Sequence, residues 1–359
     1  MHLSSWILAF LGFCALIVLH ELGHFTAAKA VGMRVERFSL FFPPLLLRHK
    51  RGETEYAVGA IPLGGYVKIT GMNPAEEIPP AVAHRAYFRQ PVWKRIVVIA
   101  AGPAVNIVLA FLILWALLWA NGLREGNGKV ERVTQPPARG ALEPGDQIVS
   151  VDGVRGDFAT LRERIASHKC GGKPADGCQA ATPATVVVSR HGEDRTLRLR
   201  PVYSAADDNM FLGFQTGTVA VALGPGDAAG ESVSQMWFFT SKTVETIAGI
   251  FQADKPKELS GVVGSYEVTR QTIELDAQRA LYLLAIISLS LGVINLFPFL
   301  PLDGGHIFWA VAEKVRGRAI PFSVMERAGF VGFALVIGLF FIGFTNDIGR
   351  LTGEGFGVR

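Results

Sequence analysis

Two histidines and a glutamate stand within five residues at His20-Glu21-Leu22-Gly23-His24, an H-E-x-x-H pattern inside an apolar run of helical character. Positions i and i+4 of a helix share a face, so both imidazoles can reach one metal ion, and Glu21 lies one residue round the helix, beside a water held by that ion. A catalytic zinc needs a third protein ligand and an open position for water. The segment Asn295-Leu296-Phe297-Pro298-Phe299-Leu300-Pro301-Leu302-Asp303-Gly304-Gly305-His306 offers one, because its prolines break a helix and leave Asp303 among apolar neighbours. Helix breaks at membrane depth are tolerated where they line a cavity or lie buried in protein. The chemistry such a set performs is hydrolysis, with His20, His24 and Asp303 as metal ligands and Glu21 as general base. The competing reading is a helix end whose polar residues merely meet the membrane interface. Against it, these side chains are costly in an apolar span unless a metal satisfies them.

Positioning them requires a membrane frame. Of 359 residues, 50% are hydrophobic and only 18% charged, and the mean hydropathy is +0.32, too apolar for an ordinary soluble protein. The net charge of +4 comes without a dense Lys/Arg run interleaved with aromatics, which sets nucleic acid aside as a partner. Four segments, about 3–31, 96–120, 281–299 and 328–344, are apolar enough to span a bilayer, for which about 20 residues suffice. The first is expected to be a retained span rather than a signal peptide, since no Lys or Arg precedes it and it contains His20, Glu21 and His24. Basic residues near the membrane ends set orientation. Arg34, Arg37, Arg48, Lys50, Arg51, Arg85, Arg89, Lys94 and Arg95 follow the first segment, and Lys314, Arg316, Arg318 and Arg327 follow the third. Both connections are expected on the cytoplasmic side, and residues 121–279 outside. The histidine pair and Asp303 then meet at one side of the membrane, an agreement built into neither assignment.

Between residues 122 and 203 the texture becomes that of a small soluble domain with short strands and Gly/Pro turns. Ala184 to Arg190, the turn His191-Gly192-Glu193-Asp194 and Arg195 to Pro201 read as a hairpin. The run Gly140 to Gly153 resembles the loop-strand-turn signature of a PDZ domain, which binds extended peptide at a sheet edge; a β-rich spacer without a ligand is the alternative. Cys170 and Cys178 pair if this region faces an oxidising compartment and otherwise stand as two thiols. Residues 232–252 read as an amphipathic helix, either on the membrane surface or packed in a core. On the cytoplasmic side, Thr54 to Val58 and Ala60 to Ile69 are β-like, and Gly64-Gly65 marks either a close backbone approach or an ordinary hairpin.

His20-Glu21-x-x-His24 together with Asn295-x-x-Pro298-x-x-x-Leu302-Asp303-Gly304 resembles the paired signatures of site-2 proteases, the intramembrane zinc metalloproteases of the peptidase M50 type. Gly64-Gly65-Tyr66-Val67 resembles that family's membrane-associated β-loop, and Ala101-Gly102-Pro103-Ala104-Val105-Asn106 its second core helix. A PDZ-like insertion resembles the bacterial branch that cleaves anti-sigma factors. The resemblance implies a polytopic α-helical membrane protein of about four transmembrane segments, with a cytoplasmic β-loop at about 54–70 and an inserted extracytoplasmic PDZ-like α+β domain. Its divisions would be 1–121, 122–203, a linker at 204–280 and 281–359. It further implies Zn2+, a plasma-membrane location, and a single-span substrate already cut by a site-1 protease, with peptide held at the PDZ-like domain. Asn295, Gly64, Gly65 and Tyr66 become substrate-binding candidates, although helix capping is an equal role for Asn295. His306 ranks below Asp303 as a ligand because only the aspartate matches the motif. Two departures stand out: a single PDZ-like region is visible, and Ser260-Gly261-Val262-Val263-Gly264 replaces the family's Gly-Pro turn, which leaves the anchoring of the linker open. A peptide-binding scaffold need not keep all four site residues, and a di-iron oxygenase needs more histidine-rich boxes than one close pair among eight histidines.

Overall fold

In the computed structural model the first apolar run folds as α1 (His2–Ala30), followed by an antiparallel hairpin of β1 (Val35–Arg51) and β2 (Thr54–Ile69). The described residues are 2–73, 76–205, 209–249, 261–318 and 320–353. Hairpin pairing runs from Val35↔Ile69 to Arg51↔Thr54, with irregular register from Arg37 to Leu47. The two β-like runs at 54–58 and 60–69 both fall within β2, and residues 37–40 of the upstream partner pair with 55–58 as well as with 65–68. That partner escapes a sequence reading because Phe41-Phe42-Pro43-Pro44 interrupts its alternation. Two short 3-10 turns lead into α2 (Val92–Asn121), with Pro103 inside it.

The chain then enters β3 (Leu123–Val133), β4 (Gln147–Val151), α3 (Phe158–Ala166), β5 (Ala184–Arg190), β6 (Glu193–Leu199), β7 (Val202–Ser204), β8 (Asn209–Phe211) and β9 (Phe214–Val221). Five of these strands form one sheet in the order β6-β5-β4-β3-β9, and β7 pairs with β8. The expected hairpin is β5–β6, closing at Arg190↔Glu193. Helix α3 starts at Asp157, whose carboxylate accepts from the Thr160 amide at 2.8 Å, and buries Leu161 and Ile165 against Val130, Ile148, Val186 and Val188. Cys170 and Cys178 are joined by a disulfide. Leu118–Gly224 is a compact unit. It runs beyond the expected 122–203 because β9 returns to pair with β3, Val221 opposite Leu123, a long-range partnership with no local signature.

The other unit comprises Met1–Leu117 and Pro225–Arg359. Its second part holds α4 (Pro225–Ala248), α5 (Val262–Leu275), α6 (Ala277–Asn295), α7 (Asp303–Arg316) and α8 (Phe322–Thr352). Among the described residues four helical segments are long and apolar enough to cross a membrane: Ser5–Ala30, Val92–Asn121, Ala277–Asn295 and Ser323–Thr352. The third ends at Asn295, short of the expected 299, because the Leu296–Pro298 turn stops it. The fourth runs past 344, since Thr345, Asn346 and Asp347 do not break a helix. Helix α4 begins earlier than the expected residue 232, and residues 250–252 of that expectation lie outside the described residues. It leans on α6, where the Tyr282 hydroxyl donates to Gln235 Oε1 at 3.0 Å and Phe239 meets the Tyr282 ring, while Trp237 stays 73% exposed. Helix α5 occupies what reads as linker. Its start is anchored by Asp347 of α8, whose carboxylate accepts from the Gly261 amide at 3.0 Å and the Gly264 amide at 2.7 Å. Ser260 lies outside the described residues.

Candidate metal centre

One turn of α1 presents His20 and His24 on the same face, their Nε2 atoms 3.2 Å apart. Asp303, the first residue of α7, brings Oδ2 to 3.3 Å from each. Both histidines are buried, at 7% exposure. The start of α7 reaches this point because it folds back hard on the preceding turn. A Cβ on Gly304 would stand 2.1 Å from the Leu296 carbonyl oxygen, and one on Gly305 2.5 Å from the Leu300 nitrogen.

Helix α2 fixes the second imidazole. His24 Nδ1 lies 2.9 Å from the Val98 carbonyl oxygen, which can only accept, so the ring proton sits on Nδ1 and Nε2 keeps its lone pair. Beside it, a Cβ on Gly102 would stand 2.2 Å from His24 Nε2, and one on Gly23 2.5 Å from the Ala101 carbonyl oxygen. The two helices therefore touch through glycines at the site.

These donors fit a metal ion. Asp303 Oδ2 is buried without a hydrogen-bond partner in the structure, so it stands near both imidazoles yet is satisfied by neither. A single proton can serve only one pair among three converging acceptors, whereas a cation at their centre serves all three. Bonds of about 2.0–2.1 Å to a tetrahedral zinc place neighbouring donors roughly 3.3 Å apart, and the observed separations are 3.2, 3.3 and 3.3 Å. Among the described residues this trio is the group able to hold a metal.

The remaining candidates are placed as follows. Glu21, half-buried, lies against β2: a Cβ on Gly65 would stand 2.8 Å from Glu21 Cγ and 3.2 Å from Ile17 Cγ2. Only glycine lets the strand pass the glutamate so closely. Gly64, at φ 155°, sits over Phe42. Tyr66 stacks on Phe42 with centroids 6.0 Å apart, and its hydroxyl accepts from Arg37 at 3.2 Å, so that side chain is engaged within the hairpin. Asn295 ends α6 with Nδ2 donating to the Leu291 carbonyl at 3.0 Å. His306 lines a small cavity with Tyr87, Arg95, Trp309 and Glu313, outside the three-donor set.

The sequence reading missed the Val98 carbonyl, which has no side-chain signature, and the proximity of Gly102 to His24, although Gly102 lies in the motif that resembles a core helix. It also treats Arg95 as a membrane-flanking charge, whereas the structure leaves it only 3% exposed.

A hydrolytic metal centre built from membrane-spanning helices is the class that this fold and site define. The profile of peptidase family M50 matches residues 8–339, and the chain belongs to that family. The expectation of a protease related to the site-2 enzymes is met. The chain is 30% identical to the zinc metalloprotease Rip1 of Mycobacterium tuberculosis over 92% of its own length and 94% of that protein. It is 29% identical to a protein of Agrobacterium fabrum named as a zinc metalloprotease candidate, over 98% of its length and 97% of that relative. A similarly named protein of Campylobacter jejuni is 28% identical over 94% and 92%.

Proposed function

We propose that the chain is an intramembrane zinc metalloprotease that hydrolyses peptide bonds within transmembrane segments of single-span membrane proteins, making a second cut after another protease has trimmed the substrate. The observation that carries this reading is the convergence of His20 Nε2, His24 Nε2 and Asp303 Oδ2 to 3.2–3.3 Å on the helix that also carries Glu21. Zinc suits two imidazoles and a carboxylate with a position left for water, and the relatives carry it in their names. When bound, the ion supplies a Lewis acid that polarises the scissile carbonyl and lowers the pKa of water. Glu21 takes the proton of the attacking water on its carboxylate and returns it to the amide nitrogen as the peptide bond breaks. The Val98 carbonyl holds the His24 ring in the tautomer that ligation needs.

A substrate helix hides its amides and must unwind locally to be cut. The passage of β2 beside Glu21 at Gly65 supports β2 as the edge on which an unwound segment pairs through its backbone. Gly64 and Tyr66 flank that contact, and Asn295 keeps Oδ1 to accept from substrate. The basic connections favour a plasma-membrane enzyme with its site towards the cytoplasm. The unit Leu118–Gly224 then lies outside, in keeping with its disulfide. There it acts as a PDZ-like filter that holds peptide and admits trimmed, anti-sigma factor-like substrates.

The test is cleavage of a model transmembrane substrate by the detergent-solubilised chain and its Glu21→Gln variant, with bound metal quantified in both. The expected result is cleavage by the parent and none by a variant that retains its zinc. Absence of both cleavage and metal in the parent would leave a peptide-binding scaffold as the better reading.

A further inference from the structure

We propose that the ion pair between Arg95 and Glu313 is a positioning device for the metal site, referring the aspartate ligand and the histidine ligands to one face of α2. The inference rests on the assignment of His20, His24 and Asp303 as ligands.

Arg95 lies in the first turn of α2 with its side chain 4% exposed. It meets Glu313 through two parallel bonds, Nη1 to Oε2 at 3.0 Å and Nη2 to Oε1 at 2.7 Å, across 218 residues of sequence. Its guanidinium also lies 5.8 Å from the centre of the Phe88 ring, which restricts it further. A fork of this kind fixes direction as well as distance, which a lysine cannot reproduce.

Glu313 sits on α7, ten residues beyond Asp303, a run of about 15 Å along the helix. Helix α7 is thereby held at two points. Gly304 and Gly305 seat its first turn against residues 296–300, and Glu313 ties its far end to α2. A short helix held at both ends cannot rotate or slide, so the direction in which Asp303 leaves its first turn is set.

The same face of α2 holds the other ligand. Residues 95, 98 and 102 follow at spacings of three and four, which places them in one stripe. Val98 accepts from His24 Nδ1 at 2.9 Å, and Gly102 gives His24 Nε2 its room. One stripe of α2 thus reads, in order, the tie to α7, the grip on His24 and the contact surface for the imidazole. Ligands from α1 and α7 are spaced by reference to α2, which contributes no ligand itself.

The Arg95 side chain is 4% exposed and that of Glu313 26%; desolvating a guanidinium offsets much of what such a pair gains compared with apolar replacements of similar volume, so a purely stabilising role is a weak explanation for the buried arginine. The pair nevertheless holds geometry, and that is what a metal site requires.

The experiment uses the full chain in detergent and measures zinc retention against graded chelator, the absorption spectrum of the cobalt-substituted protein, and the unfolding temperature. Glu313→Gln and Arg95→Lys are compared with the parent and with Asp146→Asn, which disrupts a comparable two-bonded pair with Arg190 inside the Leu118–Gly224 unit. Zinc is expected to leave both clamp variants at about 10-fold lower chelator or less, the scale at which outer partners of ligands act. Their cobalt spectra should shift; because Glu313→Gln leaves the buried Arg95 unpaired and lowers the unfolding temperature too, the metal readouts are taken well below that temperature, where the chain is folded, and Asp146→Asn should change neither metal readout. The proposal is overturned if retention and spectrum are unchanged in both variants, or if zinc is lost only in step with loss of the folded state. A parent that holds no zinc would instead defeat the ligand assignment, and this inference with it.

Discussion

The unit Leu118–Gly224 and the helical unit that carries the candidate metal centre each cohere by different means. The former packs as soluble domains do, with Val130, Ile148, Val151, Leu161, Val186 and Val188 under the sheet and at most 3% exposed. Removal of that surface from water is its driving force. Between helices in lipid no such force operates, because the surroundings are as apolar as the side chains. There the contacts are close backbone approaches at glycines, with Gly23 on Ala101, Gly102 on His24 and Gly292 on the Pro103 carbonyl, joined by a few polar ties. The lesson is that one added methyl group is most damaging in the second region and one removed side chain in the first.

Gly102→Ala should have the largest effect. Its Cβ would press on His24 Nε2 at 2.2 Å, so either α2 withdraws or the imidazole leaves the site. Zinc affinity is expected to fall by more than about 100-fold, beyond the usual effect of an outer partner, with cleavage lost; chelator competition reads the first and a substrate assay the second. Retention of zinc by this variant would break the comparison. Leu161→Ala sharpens it from the other side. Removing this 1% exposed side chain should cost the 118–224 unit about 2–5 kcal/mol. Hydrogen exchange in β4 and β5 would detect that loss, while zinc content stays at the parent level. The smallest effect expected is that of Gly65→Ala, whose Cβ would meet Glu21 Cγ at 2.8 Å and the Ser39 carbonyl oxygen at 3.0 Å, so that the glutamate and the strand must both give way slightly. It should lower kcat by roughly 10-fold or more by misplacing the base, with zinc and unfolding temperature unchanged. A drop in zinc would show that β2 supports the ligands as well as Glu21.

Much of the catalytic set is legible in the chain because it is locally written. His20 and His24 declare a shared helix face through their spacing, Asp303 stands out as a carboxylate in a proline-broken apolar run, and all three meet in the structure. The spans are legible for the same reason, since hydropathy accumulates along one segment. What stayed hidden depends on partners far away in sequence. Strand β9 is a strand because it finds β3, and the N-terminus of α5 is held by a carboxylate on α8. Val98 acts through a carbonyl that every residue possesses. Arg95 looks like any membrane-flanking charge until Glu313, two hundred residues on, turns it inward.

The proposed ligands also stand far apart in sequence, two on α1 and one on α7. A ribosome delivers α1 early and α7 only after the whole 118–224 unit, at about 5–20 residues per second. Throughout that interval the histidines have no third ligand, and α2 has no Glu313 to receive. On the proposed ligand set, a nascent chain that holds α1 without α7 is therefore an inert lodger in the membrane, unable to cut the neighbours being inserted beside it until α7 has been made.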